Sequence, residues 1–173
     1  MNQVPEKLND FRVYHEGNDF LGVADVDLPD IEFMSETVKG AGIAGEVDSP
    51  TVGQLASMQL TLNWRTIAKS LTVLAQQKAH ALDLRGAMQI FEAALGEYRQ
   101  VPVKVVARCL PKKIGLGKLD KGSPTDSSSE FEIIYLKITI DYEDVIEIDK
   151  YNYICVVHGV DYLLQTRVAL GLL

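Results

Sequence analysis

The amino-acid sequence predicts a mainly β protein, namely an antiparallel β-sandwich or barrel with one short flanking α-helix and two long hairpins. Apolar and polar residues alternate along several stretches, which is typical of half-buried strands. Segments rich in β-branched and aromatic residues are separated by segments rich in Gly, Pro and Ser. At 173 residues the chain is long enough to bury its own core, so we expect a single domain over residues 1–173.

The composition indicates a soluble globular protein and argues against several classes of function. Hydrophobic residues make up 47% of the chain and charged residues 24%, close to globular averages. The net charge of −7 argues against an outer surface that grips nucleic acid or anionic membranes, because both need clustered Lys and Arg. The N-terminal sequence MNQVPEKLND has no signal-peptide core and no later run is long enough to span a bilayer. We therefore expect cytosolic synthesis and no membrane anchor.

The first elements in the chain are two short strands, 10–15 and 20–28, separated by a Gly-containing turn at 16–19. The Asp-rich segment 25–30 resembles a calcium loop only superficially, because it lacks the glycine and the glutamate that an EF-hand requires. We expect solvated carboxylates there and no metal.

The first long hairpin is predicted over 31–65, with strands 31–38 and 56–65 joined by the loop 39–53. In the second strand the apolar and polar faces separate almost completely. Gly40, Gly42 and Gly45 have the G-x-G-x-x-G spacing of dinucleotide sites. Such a site needs a helix directly behind the glycines, whereas a strand follows here, so we predict an exposed loop and no cofactor.

Residues 66–76 carry apolar side chains at helical spacing, and this helix is predicted to cover an open face of the sheet. The next segment, 79–95, fits both a strand and a helix. Gly86 in its middle disfavours the helix by about 1 kcal/mol, which favours the strand without deciding the question.

The second long hairpin is predicted over 101–141, with strands 101–110 and 131–140 pairing antiparallel around the loop 111–129. The two predicted loops contain 15 and 19 residues. Loops longer than about 12 to 15 residues are usually functional or disordered. Long hairpins also leave free strand edges, and pairing of such edges between copies would close a ring.

No catalytic arrangement is evident in the sequence. The three histidines lie far apart along the chain, the two cysteines lie in strand-like contexts with no metal-ligand spacing, and the acidic run 141–149 is typical of a solvated face. We therefore predict no enzyme, no metal site and two buried thiols. The residues concerned are His15, His80, His158, Cys109 and Cys155.

Two motifs carry a family resemblance. The run EIDKYNYICVVHGVDYLLQTRVALGL, residues 147–172, contains an acidic strand, Asn152, the turn His158-Gly159-Val160-Asp161, Arg167 and a terminal L-G-L. The second motif is GAGIAG followed by LASMQLTLNW, with Leu55 or Leu60, Met58 and Trp64. Together they resemble the major tail tube proteins of contractile phage tails, of the P2-like type shared with R-type bacteriocins. His158 departs from the usual Asn of the N-G-V-D turn.

This resemblance implies a ring-forming tail-tube fold. Its hexameric rings would stack into a rigid tube that forms a conduit across the target envelope. The implied partners are other copies of the chain, a contractile sheath protein, a baseplate or tube initiator and a tail terminator. DNA would pass through the lumen without specific binding if the particle is a phage. The implied location is a phage tail or bacteriocin particle, assembled in the host cytoplasm.

The resemblance also suggests residues for assembly and for the lumen. The assembly candidates are Gly40, Gly42, Gly45, Asp48, Lys112, Lys113, Lys118, Asp161 and Arg167. The lumen candidates are Ser57, Gln59, Thr61 and Asn63 on the polar face of strand 56–65. Two alternatives remain open: a secretion-system tube protein of the haemolysin-coregulated type, and a monomeric β-sandwich module that binds an apolar ligand.

Overall fold

The structure is a computed structural model that describes residues 3–17, 19–20, 23 and 25–172. These residues form twelve strands and two short helices. The strands are β1 (Gln3–His15), β2 (Asp19–Phe20), β3 (Asp25–Asp27), β4 (Phe33–Lys39), β5 (Glu46–Leu55), β6 (Gln59–Trp64), β7 (His80–Glu92), β8 (Glu97–Gly115), β9 (Ser127–Ile140), β10 (Glu143–Asp149), β11 (Ile154–Val157) and β12 (Val160–Asp161). The helices are α1 (Lys69–Val73) and α2 (Leu164–Ala169).

The main sheet is antiparallel and follows the order β12-β11-β10-β9-β8-β7-β1-β2, while β6 pairs with both β9 and β3. The first half of β9 pairs with β6 and its second half pairs with β10. This long strand therefore connects the pair β3–β6 to the strands β10, β11 and β12. The fold class predicted from the sequence, mainly antiparallel β with a flanking helix, is confirmed. The turn between β1 and β2 occurs as predicted, although Asn18 and part of segment 20–28 lie outside the described residues.

The core contains the inward side chains of β6, β7, β8 and β9. On β6 the predicted alternation is confirmed, because Leu60, Leu62 and Trp64 are buried while the residues between them face outward. The indole Nε1 of Trp64 donates to Ser129 Oγ at 3.1 Å, which satisfies the one polar atom of that side chain. Leu71 of α1 packs into the same core, as expected for a helix that covers the sheet.

Helix α1 is shorter than the predicted range 66–76. It begins after Ala68, whose backbone is extended, and no side chain caps its N-terminus. The prediction of one helix was also incomplete, since α2 follows β12. Six residues are too few to show a helical period, which is why the sequence pattern missed α2. Among the described residues no helix is long and apolar enough to cross a membrane.

The second hairpin is confirmed, but its predicted loop 111–129 is wrong in its bounds. β8 and β9 pair antiparallel from Val103 opposite Ile140 to Gly115 opposite Ser128, so the loop is only 116–126. Residues 111–115 lack an apolar period, yet their backbone continues the ladder. Most of the ambiguous segment 79–95 is strand β7, His80–Glu92, and its last residues form the turn before β8. A Cβ at Gly86 would lie 2.9 Å from Cδ1 of Leu8, the flexible end of a side chain that is 49% exposed and can move aside.

The first hairpin differs more strongly from the prediction. β4 pairs with β5 in a separate two-stranded sheet, whereas β6 pairs with β9 and β3. The predicted loop 39–53 is therefore mostly strand, and the connection is only residues 40–45. Alternation identifies a strand and its buried face, but it does not identify the neighbouring strand. Pro50 in β5 also lowered the strand signal, although proline is tolerated in edge strands.

Candidate assembly surfaces

The most exposed element is the hairpin of β4 and β5, residues 33–55, which we call the arm. Every residue of β4 is exposed, and so are most residues of β5. Six large apolar side chains of the arm are 40% to 65% exposed: Phe33, Met34, Val38, Ile43, Val47 and Val52. A two-stranded hairpin is marginally stable alone in water, and clustered exposed apolar side chains mark interaction surfaces. The arm therefore has the properties of a surface that is completed by another protein.

A few contacts hold the arm together and attach it to the body. Thr37 Oγ1 donates to Asp48 Oδ1 at 2.7 Å across the two strands. At the base, the Ala56 amide donates to the Glu32 carbonyl at 2.9 Å. Near the end of the arm, Gly53 lies directly against Leu163, so the base of the arm packs on the body.

The predicted glycine residues form the tip of the arm. Gly40, Gly42 and Gly45 have φ angles of +148°, +91° and +128°, and no atom lies within 4 Å of where their Cβ atoms would be. The glycines are thus needed for the turn and leave its outer surface open. Asp48, which the sequence assigned to the loop, lies instead in β5.

The second loop, 116–126, is ordered by backbone contacts. The Lys118 amide donates to the Thr125 carbonyl at 2.8 Å, and the Thr125 amide donates to the Arg65 carbonyl at 2.8 Å. A Cβ on Gly117 would lie 1.8 Å from the Thr125 oxygen, so only glycine fits there. The ammonium of Lys118 is exposed and lies 3.7 Å from Asp120. Of the three lysines that the sequence suggests for assembly, only Lys118 lies in the loop 116–126.

The other two predicted lysines lie in β8, a correction that follows from the longer strand. Lys113 Nζ lies 3.1 Å from Glu130 Oε1, and Lys112 Nζ donates to Gln59 Oε1 at 3.4 Å. Both side chains thus reach the outer side of β6 and β9. They contact the surface that includes the predicted lumen residues, instead of projecting from a loop.

That outer side, which we call the polar face, consists of the outward residues of β3, β6 and the first half of β9. The four lumen candidates, Ser57, Gln59, Thr61 and Asn63, lie on it or at its end, exposed or half-buried. Asn63 Nδ2 donates to Asp25 Oδ1 at 2.5 Å and to Asp27 Oδ2 at 3.0 Å. The side-chain amide of Asn63 therefore joins β6 to the Asp-rich segment by hydrogen bonds to two of its carboxylates.

Charges on the polar face largely neutralise one another. Lys150 Nζ lies 3.2 Å from Glu132 Oε1, and Ser57 Oγ donates to Glu132 Oε2 at 2.5 Å. Burial raises the pKa of Glu132, but the hydrogen bonds from Ser57 and Lys150 outweigh it, so its pKa is lowered overall. The four carboxylates of this surface lie near three ammonium groups, which leaves one negative charge: Asp25, Asp27, Glu130 and Glu132 against Lys112, Lys113 and Lys150. This pairing of charges could not be predicted from the sequence, because the lysines lie in segments that are distant along the chain.

Asp161 and Arg167 form a contact within the chain. Arg167 Nη2 lies 2.6 Å from Asp161 Oδ2, and Arg167 Nη1 donates to the Tyr153 carbonyl at 2.6 Å. The hydrogen bond from Arg167 lowers the pKa of Asp161 despite partial burial. Asp161 Oδ1 also accepts from the Leu163 amide at 3.0 Å. The pair thus attaches α2 to β11 and β12, a role that sequence reasoning missed.

The prediction for the cysteines is confirmed, whereas two of the histidines lie in contact although they are far apart along the chain. Cys109 and Cys155 are buried as predicted, and burial raises the pKa of Cys109 to about 12. His15 and His80, which are far apart along the chain, lie together, with Nε2 and Nδ1 3.0 Å apart. Their separation along the chain hides this contact, which forms only through the pairing of β1 with β7.

An apolar groove of about 340 Å³ lies beside β1, β7 and β8, and its lining includes Leu8, Phe11, Leu28, Met88 and Val103. Such a groove is the feature that the binding-module alternative predicts. The comparisons with known proteins support a different function.

A model of the family described as phage tail tube protein FII matches residues 5–171. The tail tube protein of Escherichia phage P2 is 32% identical over 172 residues, which cover 98% of this chain and 99% of that protein. A solved sheath/tube terminator of the PVC extracellular contractile injection system has 13% identity and a TM-score of 0.55, covering 78% of this chain and 96% of its own. The PVC sheath-tube complex gives 15% identity and a TM-score of 0.47, covering 75% of this chain and 86% of its own. The chain therefore belongs to the phage tail tube protein FII family and is a structural tail tube subunit.

Proposed function

We propose that six copies of this single-domain chain form a ring, and that stacked rings form the inner tube of a contractile phage tail or phage-tail-like bacteriocin. Family membership supports the tube. The arm is the observation that supports the proposed mode of assembly, because its apolar side chains are exposed in the isolated subunit and would be buried against a neighbour. In this proposal Gly40, Gly42 and Gly45 shape the tip that contacts the next subunit or ring.

The outer edge of β1 offers a second contact. In the described part of the chain, β2 covers this edge only at Tyr14 and His15. The edge over 3–13 therefore presents backbone groups that another copy can pair with. Irregularities between Pro5 and Lys7 and between Leu8 and Asp10 restrict regular pairing to short stretches. Edge pairing with a different surface of the neighbour is a heterologous contact, which closes into a ring when its rotation fits.

We assign the polar face to the lumen. Its side chains are polar and hydrogen-bonded to one another, and its lysines are paired with glutamate or glutamine side chains, so they offer DNA no free cluster of cations to bind. Six copies with a net charge of −7 each carry a formal charge of −42, which repels DNA overall. Such a tube would conduct DNA across the target envelope without holding it, or would serve a DNA-free particle equally well.

The proposed partners follow from this position in the particle. A contractile sheath surrounds the tube, a baseplate or tube initiator starts it and a tail terminator ends it. The similar PVC protein is described as a sheath/tube terminator, which fits a fold that several tail components share. We propose assembly in the host cytoplasm, with no cofactor.

Electron microscopy of two valine variants tests the role of the arm. Val52→Glu places a charge on the most exposed apolar residue of the arm, 65% exposed, and is expected to abolish rings and tubes because the charge would have to be desolvated. Val73→Glu on α1, 41% exposed, is the matched control and is expected to assemble like the wild type. Negative-stain images, together with the solution mass at high concentration and with a tube initiator added, provide the measurement. Normal tubes from Val52→Glu would contradict the proposal.

Thiol labelling of assembled tubes tests the lumen assignment. Gln59→Cys is expected to react with a small maleimide but not with a bulky polymer-linked maleimide, because only the small reagent enters the tube. Leu119→Cys, in the exposed loop 116–126, is the control for chemical reactivity, while unassembled subunits control for access. The native thiols are buried and should contribute little. Equal labelling of Gln59→Cys by the bulky reagent in tubes and in free subunits would contradict the assignment.

A further inference from the structure

Two buried imidazoles and one carboxylate meet where β1 ends and β7 begins. His15 and His80 are 6% and 0% exposed, and their ring centroids are 5.1 Å apart. The donor atoms of His15, Glu16 and His80 all lie within 4.8 Å of one another. We propose that these three residues bind a divalent transition-metal ion of the Zn²⁺ class.

The pairing of β1 with β7 brings the ligands together. His15 lies opposite Leu82, so His80 is its diagonal neighbour on the same face of the sheet, within reach of a second imidazole. Glu16 would point to the other face if the strand continued. Instead it has a φ of +53°, which is unusual for a residue other than glycine, and its amide donates to the Ala81 carbonyl at 2.8 Å. This turn places its Oε1 3.7 Å from His15 Nε2.

The hydrogen bond of His80 sets its tautomer. His80 Nε2 lies 3.0 Å from the Gln76 carbonyl, which can only accept, so Nε2 carries the proton and Nδ1 presents a lone pair to His15. A backbone carbonyl on the remote ring nitrogen is the usual way in which a metal-binding histidine is oriented. Without metal, His15 Nε2–H donates to this lone pair. In the metal-bound form neutral His15 carries its proton on Nδ1, which leaves the lone pair of Nε2 for the ion.

Two of the three distances between the ligand atoms are close to those around a coordinated ion, and the third, between Glu16 and His80, is within 4.8 Å. Tetrahedral Zn²⁺ with bonds of about 2.0 to 2.1 Å places its ligand atoms about 3.3 to 3.4 Å apart. The nitrogen pair at 3.0 Å must open, and the His15–Glu16 pair at 3.7 Å must close, each by about 0.3 to 0.4 Å. The Glu16 side chain is 57% exposed, so water can supply a fourth ligand. Lys78, 3.8 Å from Glu16 Oε1, must yield that oxygen.

The donor set selects the class of ion. Two imidazoles and one carboxylate suit Zn²⁺, Ni²⁺ or Cu²⁺ and do not suit Ca²⁺ or Mg²⁺, which prefer oxygen ligands. Cys109 donates to the backbone carbonyl of His80 at 3.6 Å and stays a thiol, so it does not join the set. The ion would join the end of β1 to the first residue of β7. Its expected effect is stability of the subunit, which is separate from the role of the arm.

To test this, chelator-treated protein is titrated with zinc sulfate. Calorimetry measures binding, and NMR of the histidine ring nitrogens identifies the ligands. We expect one ion per chain, with shifts at His15 Nε2 and His80 Nδ1 and none at the His158 ring. Glu16→Gln should weaken binding about tenfold or more, since it removes a charged ligand. Glu16 is exposed, so this variant is expected to fold even if His80→Gln does not.

His158→Asn is the matched control, because His158 is exposed and has a φ of +46° that Asn accepts. It should leave zinc affinity unchanged. The proposal is overturned if zinc shifts the His158 ring as much as the other two, if Glu16→Gln binds like the wild type, or if no binding is detected at millimolar zinc. None of these measurements depends on ring or tube formation.

Discussion

The contact between Gly53 and Leu163 allows a quantitative test of how the arm is joined to the body. Gly53 has a φ of +69°, and a Cβ added there would lie 2.5 Å from Leu163 Cγ and 2.6 Å from Cδ2. The left-handed conformation costs an alanine roughly 1 to 2 kcal/mol. Leu163 is only 4% exposed, so it cannot move aside freely, and overpacking of this kind costs about 1 to 3 kcal/mol more. We expect Gly53→Ala to lower the free energy of unfolding by roughly 2 to 5 kcal/mol.

Gly96→Ala is the matched control for the backbone cost. Gly96 has the same φ of +69°, but nothing lies within 4 Å of its added Cβ, so only roughly 1 to 2 kcal/mol should be lost. Urea unfolding of the unassembled protein, followed by the fluorescence of its single tryptophan, measures both values. In a double-mutant cycle, Leu163→Ala should relieve the overlap and give a favourable coupling of about 1 kcal/mol or more with Gly53→Ala. Equal losses in the two glycine variants, together with additive energies in the cycle, would refute this reasoning.

Three further predictions concern single contacts. The pKa of Asp161 is lowered by Arg167, so this pair stabilises the fold above the unfolded pKa of about 3.9 and loses its effect as the pH falls through the folded value; the stability difference between wild type and Asp161→Asn should shrink accordingly in acid unfolding curves. Ser129→Ala should cost about 1 to 3 kcal/mol in urea unfolding because it leaves the Trp64 N–H buried without its partner, and a cost near zero would contradict this. Gly117→Ala should raise the rate of proteolysis within loop 116–126, whereas unchanged cleavage would show that the loop accommodates the added carbon.

The sequence predicted best those features that depend on a local period. The alternation on β6 identified the strand and its buried face, because water contact on one side and the core on the other impose a period of two. The glycines at 40, 42 and 45 correctly marked a turn, since few other residues accept positive φ. Family motifs then supplied the function, which no period or composition could have supplied.

Features that depend on distant pairing could not be predicted in this way. The local pattern does not identify the strand that pairs with a given edge, so the prediction paired β6 with the wrong neighbour and assigned most of β5 to the loop 39–53. The same limit separated His15 from His80, and Lys113 from Glu130, because each pair meets only through the register of a sheet. Helix α2 is fixed by the ion pair of Asp161 with Arg167, and a six-residue helix has too few turns to show a stripe.

The exposure of the arm has a kinetic consequence for polymer growth. In the proposed assembly, a subunit in solution carries apolar side chains of the arm that become buried only against a second surface, so the free energy of association would be released at a tube end that already offers a docking surface. Two free subunits meeting in solution would bury only part of this surface, which makes the first contacts unfavourable and later additions favourable. We therefore expect a lag before polymerisation and its removal by preformed seeds. The number of growing ends, rather than the amount of protein, would then decide how many tubes a cell makes.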